Sequence, residues 1–204
     1  MPYWRPRGGR GNNKNLACTV GGVTAPKITV ASVTDRDTVV DSLVAAFVKD
    51  PVLRYLFPDE DTYPRYAAAF FGHLFDKRVH KQSIWTIERG ASVAIWQPPG
   101  ASEGGKPPLL EDEQARVDAY DEALHSALPT TPFWYLGVLG THPDQAGRGW
   151  GRMVMAEGLR RAAADGLPAI LETSNPGNVE FYRRAGWNVI STVESPLPIW
   201  IMQQ

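Results

Sequence analysis

Several large protein classes are excluded by what this chain lacks. It has one cysteine, Cys18, so no disulfide can form within it. That fits a reducing compartment. No apolar run approaches the roughly 18 residues of a membrane span. The basic N-terminus is not followed by an apolar core of about 7–15 residues, which argues against a secretory signal. Together these point to a cytoplasmic protein with no membrane partner. An excess of either charge is missing too, because 21 Lys and Arg face 22 Asp and Glu, a formal net charge of −1. No global field draws the chain to nucleic acid or to an acidic membrane surface. An anionic ligand must then be held by local geometry. The histidines His73, His80, His125 and His142 form no H-E-x-x-H pattern, so no metal is expected. No internal repeat is visible.

A chain of 204 residues suits one domain with a core that needs no disulfide or metal. Residues 1–25 carry Arg5, Arg7, Arg10 and Lys14, no acids, and many Gly and Asn. They read as a disordered leader ahead of a single domain over 26–204. A strand is predicted at 27–32. Thr34 with Asp37 resembles a capping box, and Val40, Leu43, Val44, Phe47 and Val48 follow at helical spacing. Asp50-Pro51 should stop that helix. Pro64 suits the first turn of a second helix. Residues 83–88 and 91–97 read as a hairpin around Arg89-Gly90. A Gly- and Pro-rich loop covers 98–108. From Leu110 a helix carries Val117, Tyr120, Leu124 and Leu128 inward. Its acids Glu111, Asp112, Glu113, Asp118, Asp121 and Glu122 read as a solvated face.

A strand at 133–141 leads into a helix over 149–165, with Met155, Ala156, Leu159, Ala162 and Ala163 as its buried stripe. A strand at 169–173, a short helix at 179–185 and two closing strands at 187–194 and 199–203 complete a mixed α/β pattern.

The segment between strand and helix is His142-Pro-Asp-Gln-Ala-Gly147-Arg-Gly149-Trp-Gly151-Arg152. Its alternating glycines let a ligand approach the backbone. The first N–H groups of the helix lack internal partners and carry the positive end of its dipole. A diphosphate suits such a place, with Arg148 and Arg152 adding charge. A Gly-rich turn that only lets strand and helix pack is the alternative. The spacing is neither the G-x-G-x-x-G of a dinucleotide fold nor a P-loop. Downstream, Asn178 and Tyr182 stand four apart and share a helix face, while Phe181 reads as core. A protonated phenol there could act as a proton donor.

These two segments resemble the GNAT superfamily of acetyl-CoA-dependent N-acetyltransferases. Gly147-x-Gly149-x-Gly151 is similar to its pyrophosphate motif, and Asn178…Phe181-Tyr182-x-x-x-Gly186-Trp187 to the segment that follows, with Trp in place of the usual Phe. The likeness departs at Ala146, where the family places Gln or Arg; Gln145 stands one residue early. It implies a GNAT fold: a mixed, mostly antiparallel sheet of about six to seven strands with a splay, flanked by helices on both faces. It implies acetyl-CoA as cosubstrate and direct attack by an amine in a ternary complex. The cofactor would meet Leu139, Gly140, Thr141, Ala146, Gly147, Arg148, Gly149, Trp150, Gly151, Arg152, Asn175, Asn178 and Tyr182. Tyr182 would protonate the leaving thiolate. Glu172 is the candidate base for the amine, against a surface strand-end carboxylate.

Seven Trp tilt the reading toward a bulky or aromatic small-molecule amine, as on a puromycin-like antibiotic, with Phe47, Tyr55, Phe57, Trp96 and Trp134 lining its pocket. Such an enzyme would work as a monomer or homodimer. A protein or peptide N-terminal acetyltransferase of the same fold, or a non-catalytic acyl-CoA-binding module, are the alternatives.

Overall fold

The computed structural model describes residues 26–101 and 105–204. Residues 1–25, expected to be a disordered leader and including Cys18, lie outside the described residues. Among the described residues seven strands form one sheet: β1 (Ile28–Val30), β2 (Ile84–Ile87), β3 (Ser92–Gln97), β4 (Trp134–Thr141), β5 (Ala169–Thr173), β6 (Asn188–Val193) and β7 (Ile199–Gln203). Their spatial order is β1-β2-β3-β4-β5-β7-β6, and only β4 and β5 run parallel. One face carries α1 (Arg36–Ala46), α2 (Pro51–Leu56), α3 (Tyr63–Val79) and α4 (Glu111–Ala127). The other carries α5 (Trp150–Ala164) and α6 (Pro176–Arg183). Each face buries its own apolar cluster. Leu43, Phe71, Phe75, Ile95 and Ile170 lie under α1–α4. Trp96, Val154, Met155, Trp187 and Met202 lie under α5 and α6.

Three local readings are corrected. The capping box sits two residues earlier, with the Ser32 N–H donating to Asp35 Oδ2 at 2.8 Å. Asp35 also accepts from Arg89 Nε at 2.8 Å, which ties the start of α1 to the β2–β3 turn. The first helix ends at Ala46, and Asp50-Pro51 starts α2 rather than stopping α1. Asp50 caps it by accepting from the Val52 and Leu53 amides at 2.9 and 3.2 Å. The buried stripe of α5 is Trp150, Val154, Met155, Gly158 and Ala162; Ala156 and Ala163 are exposed and Leu159 half-buried. Gly158 belongs to the stripe because a Cβ there would lie 2.1 Å from the Trp96 indole. The ring packs onto bare helix backbone.

Two irregularities in β4 shape the rest of the molecule. Ile95 pairs with Val138 and Trp96 with Leu136, so Gly137 is an extra residue, a β-bulge. It reverses the alternation of side chains along the strand. Trp134 and Leu136 face α5, Tyr135 and Val138 face α1–α4, and Leu139 turns back toward α5. Gly140 then faces α1, where a Cβ would lie 2.6 Å from Leu43 Cδ2. The second irregularity is a splay. β4 and β5 pair only at Trp134–Ala169, Tyr135–Ile170 and Leu136–Leu171. Beyond Leu136 the strands part.

Candidate active site

Two hollows open from the splay. The first is a cleft of about 450 Å³ on the α5–α6 face. Its floor is the loop ahead of α5. Gly147 and Gly149 adopt φ of +79° and +75°, and Gly149 is the N-cap of α5. Left-handed backbone suits glycine, and a Cβ at either position would meet nothing within 4 Å. The space above the loop is open for a ligand. The helix's own ladder begins with Met153 N–H to Gly149 O at 3.4 Å, so the amides before it point out of the helix. Arg148 stacks 5.1 Å from the Trp150 ring and Arg152 5.2 Å from the Phe181 ring. Phe181, expected in the core, is half-buried and lines this cleft.

The cleft brings together Leu139, Thr141, Ala146, Gly147, Arg148, Gly149, Trp150, Gly151, Arg152, Asn178 and Tyr182, with Gln145 beside them. Gly140 and Asn175 are not in its wall. Gly140 faces α1, for the bulge reason above. The Asn175 side chain is occupied as the N-cap of α6, accepting from the Gly177 amide at 2.9 Å. An extended diphosphate fits the open amides, the dipole and the two guanidiniums.

The second hollow, about 340 Å³, lies between the sheet and α1–α4. Phe47, Phe70, Phe71, Leu124 and Phe133 give it apolar walls. Three carboxylates, Asp50, Asp121 and Glu172, also face it. The two hollows share three residues, Leu139, Asn178 and Tyr182. They meet where β4 leaves β5.

Glu172 is not a surface carboxylate. It follows Ile170 at the two-residue period of β5 and so faces the α1–α4 layer. Tyr135 OH donates to its Oε2. Burial pushes its pKa up to about 7, with the negative charges of Asp121 and Asp50 acting the same way and the Tyr135 hydrogen bond opposing them. Asp50 is likewise raised, chiefly by burial. The Tyr182 phenol is pushed well above its usual range by burial and then by Glu172 and Asp50. It is a proton-bearing group at neutral pH, buried beneath the meeting point.

The expected aromatic wall is corrected. Phe47 lines the inner hollow and packs 5.2 Å from Phe71. Trp96 and Trp134 do not line it; they belong to the opposite layer. Trp96 is fully buried against Gly158, and Trp134 Nε1 donates to Asp165 at 2.8 Å. Tyr55 only packs against the cluster from outside the wall, and Phe57 is fully buried in it. The residues missed were Tyr120, Asp121, Tyr135 and Ser174. Asp121, read as part of a solvated face, stands at the mouth.

The model of the acetyltransferase (GNAT) family matches residues 114–187, roughly a third of the chain. The fold is similar to solved structures at low identity. A histone acetyltransferase HPA2 and related acetyltransferase from Corynebacterium glutamicum is 22% identical with a TM-score of 0.61, over 88% of this chain and 96% of that one. Arylalkylamine N-acetyltransferase 2 from Aedes aegypti is 11% identical with a TM-score of 0.60, over 89% and 99%. The PaiA N-acetyltransferase from Thermoplasma acidophilum, solved with coenzyme A, is 13% identical with a TM-score of 0.57, over 89% and 99%. The splay of the sheet and the glycine loop both lie inside the region, residues 114–187, that matches the acetyltransferase (GNAT) family, and the fold around them is similar to that of the solved acetyltransferases.

Proposed function

We propose that the protein transfers an acetyl group from acetyl-CoA to a primary amine of a small, bulky molecule. The observation that carries this reading is the junction of the two hollows at Leu139, Asn178 and Tyr182. The outer cleft offers amides and arginines to a diphosphate. The inner hollow offers apolar walls and carboxylates to an organic ammonium. Acetyl-CoA, the cosubstrate of the GNAT family, supplies the acetyl thioester. Glu172, with a pKa of about 7, takes the proton that the amine must lose, directly or through water. Tyr182 keeps its proton and holds it at the junction for the departing sulfur. The remaining work is alignment, worth as much as roughly 7–11 kcal/mol.

The walls favour a small molecule over a protein N-terminus, since the acceptor space lies under four helices and not along an open groove. The segments Ala45-Ala46-Phe47 with Pro51, Ala91–Trp96, Trp134–Leu136 and Leu171–Ser174 resemble puromycin N-acetyltransferase, which makes puromycin-like antibiotics the first acceptors to test. The test is thiol release from acetyl-CoA across a panel of amines that includes puromycin and a peptide N-terminus. Turnover with compact aromatic amines is expected. Turnover with peptides alone would overturn the small-molecule reading, and tight CoA binding without any turnover would favour a binding module. Tyr182→Phe should lower kcat at least tenfold while CoA affinity stays within about twofold. An unchanged kcat would remove Tyr182 from the chemistry.

A further inference from the structure

A pair of hydroxyls stands at the edge of the outer cleft, behind its backbone cradle. Ser92 opens β3 and pairs directly with Thr141, the last residue of β4. Ser92 is fully buried at 0% exposure, whereas Thr141 is half-buried and lines the cleft. Their hydroxyl oxygens lie 2.8 Å apart, and either could donate. The β4 bulge sets this facing. Past it, Leu139 and Thr141 turn to the α5 side and Gly140 to α1.

Thr141 also stands against the first turn of α5. A Cβ on Gly151, the second residue of that helix, would lie 3.5 Å from Thr141 Oγ1. The hydroxyl is therefore beside amides that precede the helix's own hydrogen-bond ladder. Those are the amides that would face a diphosphate.

Each hydroxyl carries one proton, so the direction of the pair follows from where each proton can go. Ser92, out of reach of solvent, has two acceptors: Thr141 Oγ1 at 2.8 Å and the Gly140 carbonyl at a long 3.5 Å. Donation to Thr141 is the stronger bond. Thr141 Oγ1 then accepts from behind, and among the described residues its own proton finds no acceptor other than Ser92. That proton is left for a group in the cleft. A hydroxyl that accepts one hydrogen bond is polarised into a better donor, and donation to an anion is roughly twice as strong as donation to a neutral group.

Resting on the proposed use of acetyl-CoA, we infer that Ser92 and Thr141 form a relay, in which Ser92 donates to Thr141 and Thr141 donates to a phosphate oxygen of the cofactor's diphosphate. Thr141 is the residue that touches the cofactor, and Ser92 is the positioning residue behind it. The relay supplies a side-chain hydrogen bond that the loop lacks at Ala146, where only a methyl group stands.

The test measures affinity by titration calorimetry for CoA and for pantetheine, which lacks the diphosphate. Thr141→Val keeps the shape of the side chain and removes its hydroxyl. It should weaken CoA by about tenfold or more and leave pantetheine within about twofold. Thr141→Ser restores a hydroxyl and should bind CoA within about threefold of the parent. Ser92→Ala should weaken CoA by roughly three- to tenfold, and adding it to Thr141→Val should cost nothing further, because Ser92 acts only through Thr141. Equal losses for both ligands, or an unchanged CoA affinity in Thr141→Val, would overturn the relay. So would a Thr141→Ser chain that binds CoA as poorly as Thr141→Val. Additive losses in the double variant would make Ser92 a residue of the fold alone and overturn its positioning role. A parent chain that binds no CoA would instead refute the acetyl-CoA reading.

Discussion

Glu172 is a carboxylate held where its charge is disfavoured, and this has two consequences that can be measured separately. A base must be ionised to work, so kcat should rise with pH through about 7 and level off above it. Glu172→Gln should abolish that limb and lower kcat by roughly 10²–10⁴-fold. Tyr135 donates to the ionised form and so holds the pKa down. Tyr135→Phe should move the limb to higher pH; an unmoved limb would mean that another group titrates. The second consequence concerns stability. The folded pKa lies above the ordinary 4.5, so the native state is favoured most below about 4.5 and loses ground as pH climbs through 7. Above that range Glu172→Gln should be more stable than the parent by on the order of 2–3 kcal/mol, and about equal to it near pH 4. Urea melts at the two pH values check this. A gain in stability with a loss of activity is the signature of a residue placed for chemistry.

At the scale of elements, the sheet depends on how closely its helices approach it. α5 lies against β3 because Gly158 leaves room for the Trp96 ring. Gly158→Ala puts a Cβ into that ring and should cost roughly 1–3 kcal/mol, read by thermal or urea melting, even though alanine favours helices. Neutral stability would mean that α5 can lift away. This contact also shows what was legible in the sequence and what was not. The glycine loop and the hairpin follow from local rules, because each rests on backbone geometry that few residues allow, whereas α6, expected from 179, starts at Pro176 behind its Asn175 cap. The facing of Trp96, Trp134 and Tyr135 does not. A sheet covered on both faces is apolar on both, so alternation gives two sets and leaves open which set meets which layer. The bulge at Gly137 then reverses the parity within β4. The same ambiguity concealed Asp121. On a helix rich in acids, the one that borders a cavity differs from its neighbours only through what lies opposite.

At the scale of the molecule, the sheet is a partition. The outer cleft is built by the β4–α5 loop and α6, and the inner hollow by α1–α4. Among the described residues they touch only through Leu139, Asn178 and Tyr182. Damage to one compartment should therefore leave binding in the other nearly intact. CoA at about 100 times its Kd should stabilise the fold by about 2.7 kcal/mol, a rise in Tm of roughly 5–11 °C for a chain of this size. Gly149→Val forces a branched side chain into left-handed backbone at the N-cap of α5 and should erase most of that rise. The smaller shift given by an aromatic amine under the α1–α4 roof should survive. If Gly149→Val removed both shifts in a folded protein, the compartments would be one site. If it removed neither, the loop would be packing only, and the amides ahead of α5 would hold no phosphate.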